Sequence, residues 1–236
     1  MEAEKEKIDM MDMLKAGVHF GHKKSKKHPK MDEYVFGVRN GISIIDLSKT
    51  KSKLVEAADY AKKIAENDGV ILFVGTKRQA SKIIEAAAKK CDMPYVSERW
   101  LGGTFTNFDK ILIGMKRLES LLQQQESGEL SQKYTKKEVR EIEREIKRLE
   151  IKFGGIMKIK KIPDAVFIVD VIEEETAVLE ALAKNVAIIA MNDTNTDPSR
   201  ITYPIPANDD AIRSIELITN VIADAICEGK KTQKQA

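Results

Sequence analysis

The chain has 236 residues, 42% of them hydrophobic and 33% charged, with a formal net charge of +3. That length and apolar fraction suit one large domain, or one domain with an insertion, built around a real core. No run of eighteen uncharged apolar residues occurs and the start MEAEKEKIDMMDML lacks the apolar centre of a signal peptide, so the reading is a soluble, cytoplasmic protein without a membrane span.

An amphipathic helix is expected from Ile8 to Lys15, ended by Gly17. The stretch that follows reads as a loop in which Lys23, Lys24, Lys26, Lys27 and Lys30 crowd around His22, His28 and Pro29 with no acidic residue among them. A strand-then-helix rhythm begins at Ile42, Ile44 and Ile45, with Asp46 and Ser48 as cap candidates and a helix from about Ser48 to Asn67. The uninterrupted apolar run Val70 to Val74 has the form of a strand buried on both faces of a parallel sheet. Gly75 and Thr76 turn it into a helix carrying Ala80, Ile83, Ile84, Ala87 and Ala88, and Tyr95 to Val96 is a short strand beyond it.

The middle of the chain changes period. Phe108, Ile111, Met115, Leu118 and Leu122 are spaced three and four apart, and so are Val139, Ile142, Ile146, Leu149 and Phe153, which predicts an antiparallel coiled-coil hairpin joined by a polar connector around Ser127 and Gly128. The rhythm then resumes with a strand Ala165 to Val169, a helix Glu173 to Lys184, a strand Val186 to Ala190, a strand near Tyr203 to Ile205 and a helix from about Asp209 to Cys227. The tail GKKTQKQA is expected to be disordered. The fold class is therefore α/β, a Rossmann-like three-layer parallel sheet with helices on both faces and an inserted hairpin. The expected divisions are residues 1–40 for the N-terminal helix and basic loop, 41–104 with 158–228 for the sheet domain, 105–157 for the hairpin and 229–236 for the tail.

Three sets of residues could carry chemistry. Gly75, Thr76, Lys77 and Arg78 open a helix after a buried strand, where backbone amides and two cations can hold a phosphate, yet neither GxGxxG nor GxxxxGK[ST] is present. Asp193 to Asp197 bring carboxylates to a strand end, in a spacing that serves turns and caps better than acid/base catalysis. A nucleotide-dependent hydrolase using Thr76 and Asp193 is thus the rival reading, and no nucleophile or metalloprotease pattern supports it. The lysine-rich loop has the stronger case, because flexible lysines neutralise RNA phosphates and release counterions without reading bases. Arg99, ahead of Trp100, Gly102 and Gly103, is a further candidate phosphate or base contact. Cys91 and Cys227 lack CxxC or Cys/His spacing and read as reduced thiols.

Eight ordered segments, DMLKAGVHFGH, HPKM, IIDLSKT, ILFVGTKRQA, RWLGGTFTNF, PDAVFIVD, DTNTDP and YPIPANDDAIRSI, run from the first helix to the last. Together they resemble the bacterial form of small-subunit ribosomal protein number two, over nearly all of the chain except the tail. The resemblance implies a non-catalytic constituent of the small ribosomal subunit that needs no cofactor. It implies binding to small-subunit ribosomal RNA, contacts with neighbouring ribosomal proteins, and help in recruiting ribosomal protein S-one. RNA contacts are expected at Lys23, Lys24, Lys26, Lys27, Lys30, Lys77, Arg78 and Arg99. For some family members the resemblance also implies a zinc ion, whose ligands here would be His22, with His19 as a substitute, Asp193 and Asp210. His28 replaces the family's usual Asn before Pro-Lys-Met, and Ala207 its usual Gly before Asn-Asp-Asp.

Overall fold

A computed structural model of the chain describes residues 9–233. Helix α1 (Met10–Ala16) starts where the Asp9 side chain accepts from the Met11 amide and stops at Gly17, whose φ of 76° suits a residue without Cβ. The expected first residue of this helix, Ile8, lies outside the described residues.

The basic stretch is not simply a loop. Phe20–Lys23 forms β1, Val35–Arg39 β2 and Ile42–Ile45 β3, in a three-stranded antiparallel sheet ordered β1-β3-β2. The isoleucines expected to open the parallel sheet thus belong to this smaller unit, and the structural break follows Ile45 rather than residue 40. Between β1 and β2 the chain makes two short 3-10 turns, Lys24–Lys26 and Pro29–Tyr34.

From Asp46 onward the α/β rhythm is present. Helix α2 (Leu47–Glu66) is capped by the Asp46 carboxylate, which accepts from the Ser48 amide. The parallel sheet contains β4 (Ile71–Val74), β5 (Tyr95–Val96), β6 (Ala165–Val169), β7 (Ala187–Asn192) and β8 (Tyr203–Pro206), in the order β5-β4-β6-β7-β8. Every residue of β4 and β6 is buried, as their unbroken apolar runs require of strands covered on both faces. Alternate strand residues feed two cores. Ile71, Phe73, Phe167, Val169 and Ile189 pack with α2, with α3 (Ser81–Lys90) and with the last helix, whereas Leu72, Val74, Val166, Ile168 and Ile188 face the opposite layer.

That opposite layer includes the hairpin. Helices α4 (Phe108–Glu126) and α6 (Lys136–Phe153) pack together through Ile111, Met115, Leu118, Leu121, Ile146 and Phe153. Gly114 makes the close approach possible, since a Cβ there would lie 2.5 Å from the Phe153 ring. The connector is not merely polar, because α5 (Glu129–Lys133) lies within it and buries Leu130 to 3% exposure. The hairpin's apolar stripe joins the sheet's second core without a break, which roots its base on the domain.

The remaining helices are α7 (Glu175–Ala183) and α8 (Ile212–Gln233). Helix α8 corrects two expectations, the helix end at Cys227 and the disordered tail from residue 229. Gly229 is buried against α2, where a Cβ would fall 2.5 Å from the Lys62 carbonyl oxygen, so the packing that holds α8 continues past Cys227. Residues 234–236 of that tail lie outside the described residues.

Candidate nucleic-acid interface

In chain order the sheet strands run second, first, third, fourth, fifth across the sheet, so the topology reverses between β4 and β6. In open α/β sheets of this order the crevice beyond the carboxyl ends of those two strands is where nucleotides bind. Here the chain's own side chains fill it. The Thr76 amide donates to Glu174 Oε1 at 2.6 Å, and Lys77 Nζ lies 2.9 Å from Asp170 Oδ2, 3.2 Å from Asp209 Oδ1 and 2.5 Å from Asp210 Oδ1.

The electrostatics follow from that crowding. Burial works against the Lys77 charge, but hydrogen bonds and attraction from Asp210, Asp209 and Asp170 outweigh it and raise the lysine's pKa. Burial, with the nearby charges of Asp170 and Asp193, pushes Asp209 up to about 7. Glu174 is also raised, chiefly by burial. Carboxylates thus occupy the place a phosphate would take, and the helix expected to open at Gly75 and Thr76 starts only at Ser81, leaving the Thr76 amide in the loop with Glu174 as its acceptor. Lys77, grouped by sequence with the RNA contacts, is engaged by these carboxylates as an internal counterion. Gly75 serves packing, because a Cβ there would meet Ile84 at 2.8 Å and Ala80 at 3.2 Å.

Beside this cluster the small sheet is fastened to the DTNTDP loop. The His22 amide donates to Thr194 Oγ1 at 2.9 Å and the His28 amide to the Thr194 carbonyl at 2.8 Å. Lys30 Nζ reaches Asp197 Oδ2 at 2.9 Å and Ser199 Oγ at 2.7 Å, and Lys27 pairs with Asp32. Hydrogen bonds from Ser199 and Lys30 hold Asp197 below the usual carboxylate range. The Asp/Asn-rich loop therefore acts as an anchor, the turn-and-cap role its composition indicated. Of the five loop lysines, Lys23, Lys24 and Lys26 are exposed and have no carboxylate partner among the described residues, whereas Lys27 and Lys30 are engaged. Arg78 and Arg99 are both exposed, each a few residues past the carboxyl end of one of the paired strands β4 and β5.

His22, Asp193 and Asp210 come together, each offering an atom within 4.8 Å of the others. Nδ1 of His22 lies 3.0 Å from Asp193 Oδ2 without hydrogen-bond alignment, and Nε2 lies 3.6 Å from Asp210 Oδ2. The contact with Asp193 is the main influence raising the His22 pKa; burial opposes it, while Asp209 and Asp210 add to it. One imidazole nitrogen and two carboxylate oxygens are an acceptable zinc donor set, and a buried nitrogen lacking a hydrogen-bond partner is what a cation would satisfy, so the residues fit the ion. His19 is absent from the cluster.

Sequence reasoning missed Glu180. This helix residue is 7% exposed and accepts from Trp100 Nε1, the Gly103, Phe105 and Thr106 amides, and the Thr106 hydroxyl. Burial opposes its charge, but these donors prevail and lower its pKa. It thereby fixes the loop that carries Arg99. The available signal was a carboxylate on the same helical face as Ala177 and Ala181, where a charge demands a partner.

A crevice filled by the chain's own side chains, and exposed lysines without a carboxylate partner among the described residues, define an α/β scaffold with a basic surface. The Ribosomal protein S2 family model matches residues 13–229. The chain is also 49% identical to the small ribosomal subunit protein uS2 of Fusobacterium nucleatum subsp. nucleatum, over 95% of this chain and 91% of that relative. The chain belongs to the ribosomal protein S2 family, and as such is a structural constituent of the small ribosomal subunit rather than an enzyme.

Proposed function

We propose that the chain grips small-subunit ribosomal RNA through backbone phosphates, with Lys23, Lys24 and Lys26 as the leading contacts and Arg78 and Arg99 as outlying ones. The observation that carries this reading is the segment from residue 18 to 31, which holds five lysines and no carboxylate and leaves those three lysines exposed and unpaired. Such lysines release counterions on binding, so affinity falls steeply with salt. Co-sedimentation with small subunits lacking this protein, in a salt series and beside a nucleotide-binding assay, tests it. Salt-sensitive subunit binding without nucleotide binding is expected; the reverse would restore the hydrolase reading.

The same reading places the chain in the cytoplasm, beside other small-subunit proteins. Among the described residues no helix is long and apolar enough to cross a membrane. For ribosomal protein S-one, the small sheet offers exposed apolar side chains, with Phe36 80% exposed, Phe20 47% and Ile42 37%. His22, Asp193 and Asp210 would hold a zinc ion, which would tie the small sheet to the ends of β7 and β8; no reaction passes through it.

A further inference from the structure

Helix α7, which connects β6 to β7, is apolar on two sides. Its inner side buries Ala177, Val178 and Ala181 in the second core. Its outer side carries Leu179, 49% exposed, and Leu182, 40% exposed, and Ile172 is 54% exposed in the turn just ahead of the helix. Placed at 100° per residue, Glu175, Thr176, Leu179, Leu182 and Ala183 share one exposed face roughly 120° wide, with Leu179 at its centre. Beside that face, Val171, Ile172, Val178 and Leu179 line a groove of about 200 Å³ against the loop that carries Arg200. A surface helix normally turns polar residues outward, and exposed apolar side chains gathered beside a groove mark a contact surface.

We propose that this face is the contact between two copies of the chain, packed antiparallel about a two-fold axis near Leu179. The charges at the ends of the strip match that occupant. Glu173 is exposed ahead of the helix and Lys184 is exposed at its end, and neither has an ion-pair partner among the described residues. Leu179 falls close to the midpoint between them. A two-fold there sets Leu179 against its own copy, lays Glu173 toward Lys184 of the second copy twice over, and brings the second copy's Leu182 over the groove. The short side chains of Thr176 and Ala183 let the two helices approach. A helix dipole by itself favours an acid first and a base last, so the strip demands a partner and the charges choose which. Other occupants fit less well. A membrane surface favours apolar strips bordered by lysine and arginine, whereas Glu173 and Glu175 flank this one, and an RNA backbone would meet the same carboxylates. One short helix and a groove fall below the standard size of stable interfaces, so the dimer belongs to the weak, concentration-dependent class.

The test is analytical ultracentrifugation of the purified full chain, from about 1 µM to about 1 mM. Wild type is expected to pass from monomer to dimer across that range. Leu179→Arg should weaken dimerisation by about tenfold or more, as loss of a central anchor does, with an unchanged circular dichroism spectrum because the replaced side chain is exposed. Glu173→Lys and Lys184→Glu should each weaken it separately. An equimolar mixture of those two variants should recover it, since both end contacts then join opposite charges again. Wild type that stays monomeric throughout overturns the proposal, and weaker binding of Leu179→Arg to small subunits depleted of this protein would then assign the strip to a ribosomal neighbour. A dimer insensitive to Leu179→Arg places the contact on another face, and a mixture no better than either single variant contradicts the two-fold register; each of these overturns it as well.

Discussion

Lys77 and the outward cations of α6 differ in how the sequence presented them, since Lys77 was named among the phosphate contacts for its place after a buried strand and none of the α6 cations was. Lys77 is held among Asp170, Asp209 and Asp210, while Lys136, Lys137, Arg140, Arg144, Lys147 and Arg148 of α6 are exposed and have no carboxylate partner among the described residues. A cation's availability is therefore settled by accounting for its partners, and Lys77's lie 93 and 132 residues away along the chain for Asp170 and Asp209.

Mutations can break this comparison at either end. Lys77→Ala strands three carboxylates at the strand ends and should cost about 3 to 5 kcal/mol in chemical denaturation, as removal of one partner from a buried ionic cluster does. A cost near zero would mean that water already screens the cluster. On α6 itself, Ile146→Asp puts a charge into the seam and should cost several kcal/mol, with hydrogen exchange accelerated in α4 and α6 ahead of β4 and β6. Uniform acceleration would show that the hairpin and sheet open as one unit.

Glu180→Gln should cost about 1.5 to 3 kcal/mol, the worth of hydrogen bonds made to a charged group. Its pH dependence has a definite sign. The folded state holds this carboxyl below its ordinary 4.5, so its contribution is fully present above 4.5 and is lost as pH falls through the lowered value. Wild-type stability should therefore approach that of Glu180→Gln on acidification, and a gap that stays constant down to pH 3 would exclude ionisation as its source. At the small end, Lys24→Ala and Arg144→Ala should each change stability by no more than about 0.5 kcal/mol, as exposed unpaired residues do.

The larger part of the fold was legible because burial leaves a local imprint. The runs Ile71–Val74 and Ala165–Val169 could only be doubly covered strands, and the three-and-four spacing from Phe108 to Leu122 set the hairpin. The small sheet left no such imprint. Phe36 and Val38 are exposed, and bulges interrupt both of its pairings, so no clean alternation survives. Helix α5 is five residues long, too short for periodicity to show. Of the site, the lysine run and the His22, Asp193 and Asp210 group were named in advance, the latter by resemblance. The filling of the switch-point crevice by Glu174 and Lys77, and the five donors gathered by Glu180, depend on contacts that only the folded chain makes.

The central claim is that this scaffold binds RNA through cations its own carboxylates leave free. Its most direct test is the salt dependence of binding to depleted small subunits for Lys23→Gln/Lys24→Gln/Lys26→Gln/Lys27→Gln against wild type. Because Lys27 is already paired with Asp32, three contacts should disappear rather than four, and the slope should become shallower by roughly 2 to 3. A quadruple variant that binds as tightly as wild type with the same slope would contradict the account.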